Sequence, residues 1–240
     1  MVLLLLFVLS ALAGFVQRVS GFGFGIFIMM FLPYIMPSYN EAVALSGILS
    51  GSTALFIVAR YLSFVQWRKM VTVVLANIVV SYFAVMYMQS LGGVFMRRCL
   101  GALLVLLAVY FLFFQDKARF SFSSWWQKGA VGALSGVMGS MFGMPGPPVV
   151  VYGVSVLENK KEYMATMQAF WLLFNIFYLL FRSGGGYYTD DTPLYWLAGI
   201  VGVLPGIWLG GLCFNRLGSL WFRRVVYSVM LLSGAVAFFK

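Results

Sequence analysis

Charged residues fall along this chain in widely spaced islands, and the stretches between them are almost purely apolar. Residues 2–36 carry a single charge, Arg18, and residues 42–59, 70–96, 99–115, 129–157, 163–181, 192–215 and 225–239 carry none. A helix that spans a bilayer needs about 20 apolar residues, within a range of about 17–25. Six of these eight runs suit one such helix each, but the first covers 35 residues and the fifth 29. As one straight helix the first would reach roughly 52 Å at about 1.5 Å per residue, against a hydrocarbon core of about 30 Å. Each oversized run must break, tilt strongly or fold back. The pattern predicts an all-α, polytopic transmembrane helical bundle of about eight spans, or up to ten if the first and fifth runs each cross twice.

The break points are written in the sequence. The first run contains Ser20, Gly21, Phe22, Gly23, Phe24 and Gly25. The fifth contains Gly143, Met144, Pro145, Gly146, Pro147 and Pro148. Alternate glycines weaken a helix, and prolines remove backbone donors and clash with the preceding turn. Irregular backbone at membrane depth survives only when buried in protein or lining a wet cavity. The other reading of the glycines is close helix packing through small residues. The first run is read as a retained helix. Ala11, Leu12 and Ala13 imitate a signal cleavage site, but no positively charged n-region precedes them.

The chain also resembles itself. Ala11, Leu12, Ala13 and Gly14 match Ala133, Leu134, Ser135 and Gly136, and Gly21 and Gly143 lie 122 residues apart. Glu41 and Glu162 occupy comparable places, and residues 89–98 match residues 215–224 at four of ten positions. The matches keep one order at offsets near half the chain length. Together they predict two homologous transmembrane repeats, residues 1–115 and 127–240, joined by a polar stretch, as in transporters built from repeats. Charge counts on the two sides of an eight-helix layout are nearly equal, so they leave the orientation open, along with parallel or inverted repeats.

Composition agrees with a bilayer and little else. The chain is 62% hydrophobic and 9% charged, where soluble domains are roughly 45–50% apolar and about 25% charged. The 16 basic residues outnumber the 6 acidic ones. The bases sit between apolar runs rather than in one patch, so they read as membrane-surface loop residues and not as a nucleic-acid site. Cys99 and Cys213 read as small core residues. The sequence calls for no metal and no cofactor. It has no His and no P-loop pattern, and no cluster suited to hydrolytic or metal chemistry, so an enzyme is disfavoured.

The candidate chemistry therefore lies in the broken backbone. The start of a half-helix presents unpaired N–H groups and partial positive charge, a ready anion site. Two such breaks facing each other near the midplane could hold a small oxyanion without metal. The expected site lies between Ser20, Gly21, Gly23 and Gly25 on one side and Gly143, Pro145 and Gly146 on the other, with alternating access moving one half against the other. Arg18 is the one charge inside a span; it either complements the anion or snorkels to the interface. Gln168 and Asn175, on a similar face of one run, either donate to the anion or join helices. Helix contact is the favoured reading for Asn77, Ser50, Ser52 and Thr53, and packing the favoured reading for Phe22 and Phe24. The carboxylates Glu41, Asp116, Glu158, Glu162, Asp190 and Asp191 all fall at run edges or in loops. A buried Asp/Glu/His proton relay is accordingly not expected.

Two halves of about four spans, each opening on a Gly/Pro-rich break, resemble the sulfite exporter TauE/SafE family. The resemblance rests on residues 20–25, on residues 136–148 and on the duplication, and it covers nearly the whole chain. It implies a permease that exports a small anionic sulfur compound: sulfite, thiosulfate or an organosulfonate. Met144, Pro145 and Pro147 depart from the denser glycine usual in the second break. The implied location is the bacterial inner (plasma) membrane. An anion channel and a non-transporting membrane assembly partner are the rival readings. The Gly-rich faces could also serve a homodimer.

Overall fold

The computed structural model describes residues 1–88, 90–113, 122–183 and 185–213, with isolated positions 231 and 235. Among these residues the regular elements are all helices. They are α1 (Val2–Ser20), α2 (Phe24–Ile28), α3 (Leu32–Ile35), α4 (Tyr39–Val58), α5 (Trp67–Met88), α6 (Gly93–Phe113), α7 (Trp125–Phe142), α8 (Gly146–Val156), α9 (Lys160–Arg182) and α10 (Thr192–Cys213), with a 3-10 turn at Leu62–Phe64. The run at 225–239, apart from positions 231 and 235, and the repeat match at 215–224 fall outside the described residues.

Both oversized runs break where the sequence predicts, and by one device. Helix α1 ends on Gly21, whose φ of 83° lies in the left-handed region and whose N–H closes on the Gln17 carbonyl at 2.8 Å. Helix α7 ends on Gly143, with φ 68° and its N–H on the Gly139 carbonyl at 3.1 Å. This is the glycine cap that lacks a Cβ penalty. The prolines of the second break act differently from the expected clash with a preceding turn. Pro147 and Pro148 sit in the first turn of α8, where a missing N–H costs no helical bond.

The helices that follow also start alike. Ser38 caps α4 by accepting from the Glu41 N–H at 3.1 Å. Asn159 caps α9 by accepting from the Glu162 N–H at 2.9 Å. Each side chain satisfies an orphan donor of the first turn.

Packing is reciprocal. Helix α1 packs on α10 and α7 on α5, while α4 packs on α9, and these two are the most buried of the span-length helices. The backbones approach closely. A Cβ on Gly202 or Gly206 would strike the Phe7 or Ala11 carbonyl, and one on Gly132 would strike that of Val73. Small residues at such crossings permit the contact that lipid cannot drive hydrophobically.

Helices α1, α4, α5, α6, α9 and α10 are long and apolar enough to cross a membrane. The outward faces match lipid: Leu75, Phe83 and Trp208 are 59%, 64% and 65% exposed. A water-facing surface of that kind would be an aggregation liability, whereas acyl chains solvate it. The protein is an integral membrane protein with an all-α, polytopic bundle.

Candidate functional site

The two breaks meet. Gly25 lies so close to the Gly143 carbonyl that no Cβ fits between them, and the next atoms are again backbone, Gly143 C and Met144 Cα. Beside this contact lies a cavity of about 20 Å³ walled by Gln17, Gly23, Gly25, Ser50, Gly146 and Trp171, with Phe22, Phe24, Ile26, Met144 and Pro145 completing it. That volume holds about one water molecule.

The donors around the cavity are unequal on its two sides. On the first side, the opening helical bond of α2 runs from the Phe27 N–H to the Gly23 carbonyl at 2.9 Å. The N–H groups of Phe24, Gly25 and Ile26 precede that bond and have no intrahelical partner. Because α2 has five residues, what it offers is these local amides rather than a long macrodipole. On the second side, Pro147 and Pro148 carry no N–H, so Gly146 is the one donor among the first three residues of α8.

The remaining backbone of the first break is firmly stitched. The Gly21 carbonyl accepts from Gln168 Nε2 and from Trp171 Nε1, each at 3.0 Å. Gln168 Oε1 in turn accepts from Gln17 Nε2 at 2.7 Å. The Ser20 hydroxyl lies 2.7 Å from the Val16 carbonyl and 2.6 Å from the Phe22 carbonyl, so it closes the break on itself. On the second side Ser135 donates to the Pro145 carbonyl at 2.6 Å.

The sequence-predicted residues divide into three groups. Gly23, Gly25, Pro145 and Gly146 line the cavity. Ser20, Gly21, Gly143 and Gln168 form its frame. Asn175 and Arg18 lie elsewhere. Asn175 donates back to the Trp171 carbonyl at 2.7 Å and packs against Gly47 and Gly51 of α4. Arg18 is 8% exposed, donates to the Tyr61 hydroxyl at 3.2 Å and stacks 5.5 Å from that ring. With Arg60 it lines a separate cleft between α1, the end of α4 and α10.

Five residues escaped the sequence reading, one of them Ser50, which was expected to serve helix contact and instead lines the cavity. Gln17 and Trp171 are buried at the cavity. The argument that marked Gln168, an amide inside an apolar run, applies equally to Gln17; nothing marked Trp171 among so many aromatic residues. Two further expectations need correction. Glu41 is not a loop-edge carboxylate in water: it is fully buried, and its Oε1 accepts from Thr189 at 2.6 Å and Thr192 at 3.1 Å. A buried carboxylate therefore exists, because the chain at 189–192 folds over the start of α4. Arg182, read as a surface base, is 1% exposed, because its stem turns back along α9 into the core.

A family model described as Sulfite exporter TauE/SafE matches residues 6–237. No curated protein and no solved structure matches the chain.

Proposed function

The chain belongs to the sulfite exporter TauE/SafE family, a family of membrane transporters and not enzymes, and from that premise we propose that it exports a small sulfur-containing oxyanion held between its two helix breaks. Sulfite, thiosulfate and organosulfonates share what the site would recognise: compact negative oxygens that accept from amides. The observation that carries the reading is the direct contact of Gly25 with the Gly143 carbonyl, beside a cavity lined by helix-start residues whose N–H groups have no intrahelical partner.

The mechanism follows from the unequal donors. The amides of Phe24, Gly25 and Ile26 take one side of the anion, the Gly146 N–H takes the other, and the Ser50 hydroxyl closes the ring. Donation from fixed backbone needs no reorganisation when the ligand arrives. A cavity of about 20 Å³ is smaller than a three-oxygen anion, so the breaks must separate to admit it. Residues 1–115 and 127–240 act as two repeats, and rocking of one against the other opens the cavity to each side in turn. The bacterial plasma membrane is the proposed location. There an anion leaving a negative interior gains roughly 2.3 kcal/mol per charge per 100 mV.

Reconstituted protein tests this. Saturable sulfite flux with counterflow from preloaded vesicles supports the carrier. A non-saturating anion current indicates a channel, and absence of flux for every sulfur oxyanion indicates a non-transporting partner.

A further inference from the structure

A second group of unspent donors lies behind the second break. Arg182, the last residue of α9, donates to the carbonyls of Ser140 at 2.9 Å, Gly139 at 3.2 Å and Val43 at 3.4 Å. Its guanidinium lies 5.1 Å from the Tyr178 ring and 5.8 Å from that of Tyr187. Among the described residues no carboxylate pairs with it, and its Nε has no acceptor. The hydroxyl of the same Tyr178 lies 3.5 Å from Asn77 Oδ1, which also accepts from Ser81 at 2.9 Å. Asn77 is fully buried, and its Nδ2 has no acceptor either.

Around one tyrosine, then, two enclosed N–H donors lack acceptors, and one of them belongs to a cation that has no counter-charge among the described residues. Carbonyl dipoles at the end of α7 and two aromatic faces offset part of the cost. They leave a net positive charge in a low-dielectric core, which proteins retain chiefly where it is used. Among the described residues, what the cluster lacks is a negatively charged acceptor.

A polar stripe connects it to the break cavity. Gln168, Trp171, Asn175, Tyr178 and Arg182 recur at helical spacing on the face of α9 that meets α4. A Cβ on Gly47 of α4 would stand 3.1 Å from Asn175 Oδ1 and 3.3 Å from Arg182 Nη1. Trp171 walls the cavity, and the rise along the helix from there to Arg182 is about 16 Å.

We propose that Arg182 and Asn77 form a second binding station for the transported oxyanion, at the far end of this stripe from the helix breaks. The proposal rests on the reading of the chain as an oxyanion carrier. Because the prolines strip amides from the second break, the second half supplies a side-chain cation where the first supplies backbone.

Equilibrium dialysis of radiolabelled sulfite against the purified full chain tests it, with folding checked by thermal midpoint and monodispersity. Wild type binds two sulfites per chain, and Gly146→Val, which fills the break cavity, binds one. Arg182→Met loses the second station, weakening it about tenfold or more, whereas Arg182→Lys keeps it. Asn77→Asp preserves shape but supplies a built-in counter-charge to Arg182. It also loses the second station, and this variant decides the matter if Arg182→Met fails to fold. A residue that merely tied helices together would leave sulfite binding unchanged in Asn77→Asp. A single wild-type site, sensitive to Gly146→Val and indifferent to Asn77→Asp, overturns the second station alone. No sulfite bound by wild type overturns the carrier reading with it.

Discussion

Gly25 and the carbonyl of Gly143 touch without room for a methyl group between them. Two segments 118 residues apart in sequence, each unable to continue as a helix, have their interruptions pressed together in the core. Close approach of bare backbone to bare backbone is what an amide-lined anion pocket requires, and it sets two glycines of the site in opposition.

Gly25→Ala and Gly146→Ala should therefore behave differently. A Cβ on Gly25 meets backbone that cannot swing aside, so stability falls by about 1–3 kcal/mol and transport falls with it. A Cβ on Gly146 meets Phe22 and Trp171 at 3.8 and 3.9 Å, ordinary contacts. Gly146→Ala should keep its thermal midpoint yet raise the KM for sulfite, because the methyl projects into the cavity. Melting curves and flux on the same preparations check both. Equal melting losses in the two variants would contradict the packing described.

The amide pair Gln17 and Gln168 should show strong non-additivity. Gln168→Leu strands the buried Gln17 amide, costing about 1–3 kcal/mol. Adding Gln17→Leu removes the stranded group, and Trp171 still serves the Gly21 carbonyl. The double variant should be less destabilised than the sum of the single ones, by about 0.5 kcal/mol or more in a thermal double-mutant cycle.

Much of this architecture was legible in the chain. Charge-free runs marked the helices because lipid tolerates few charges, and Gly21 and Gly143 marked the breaks because a left-handed cap favours glycine. The burial of Glu41 and Arg182 was not legible. Both stand at the ends of runs, where a helix terminus in water and one folded under a loop have the same local sequence. Their enclosure depends on the chain at 187–192 returning over α4 and α5, a long-range contact without local periodicity. The weakness of the second break as a donor was readable in Pro147 and Pro148, once these open a helix rather than interrupt one.

Glu41 gives a test of that enclosure. Thr189→Val with Thr192→Val leaves the buried carboxylate without either hydroxyl donor, and hydrogen bonds to a charged group are worth about 1.5–3 kcal/mol each. The thermal midpoint should drop clearly. Glu41→Gln in that background removes the charge at nearly constant shape and should recover most of the loss. An unchanged midpoint in the double valine variant would place Glu41 in water.

The most direct test of the central claim uses selenite, a heavier analogue of sulfite whose selenium can be located by anomalous diffraction. Crystals of the protein soaked in selenite should show selenium between the first turn of α2 and the start of α8, within hydrogen-bonding reach of the Phe24, Gly25 and Gly146 N–H groups. Selenium confined to the outer cleft of Arg18 and Arg60, with the two breaks sealed and dry, would contradict the account.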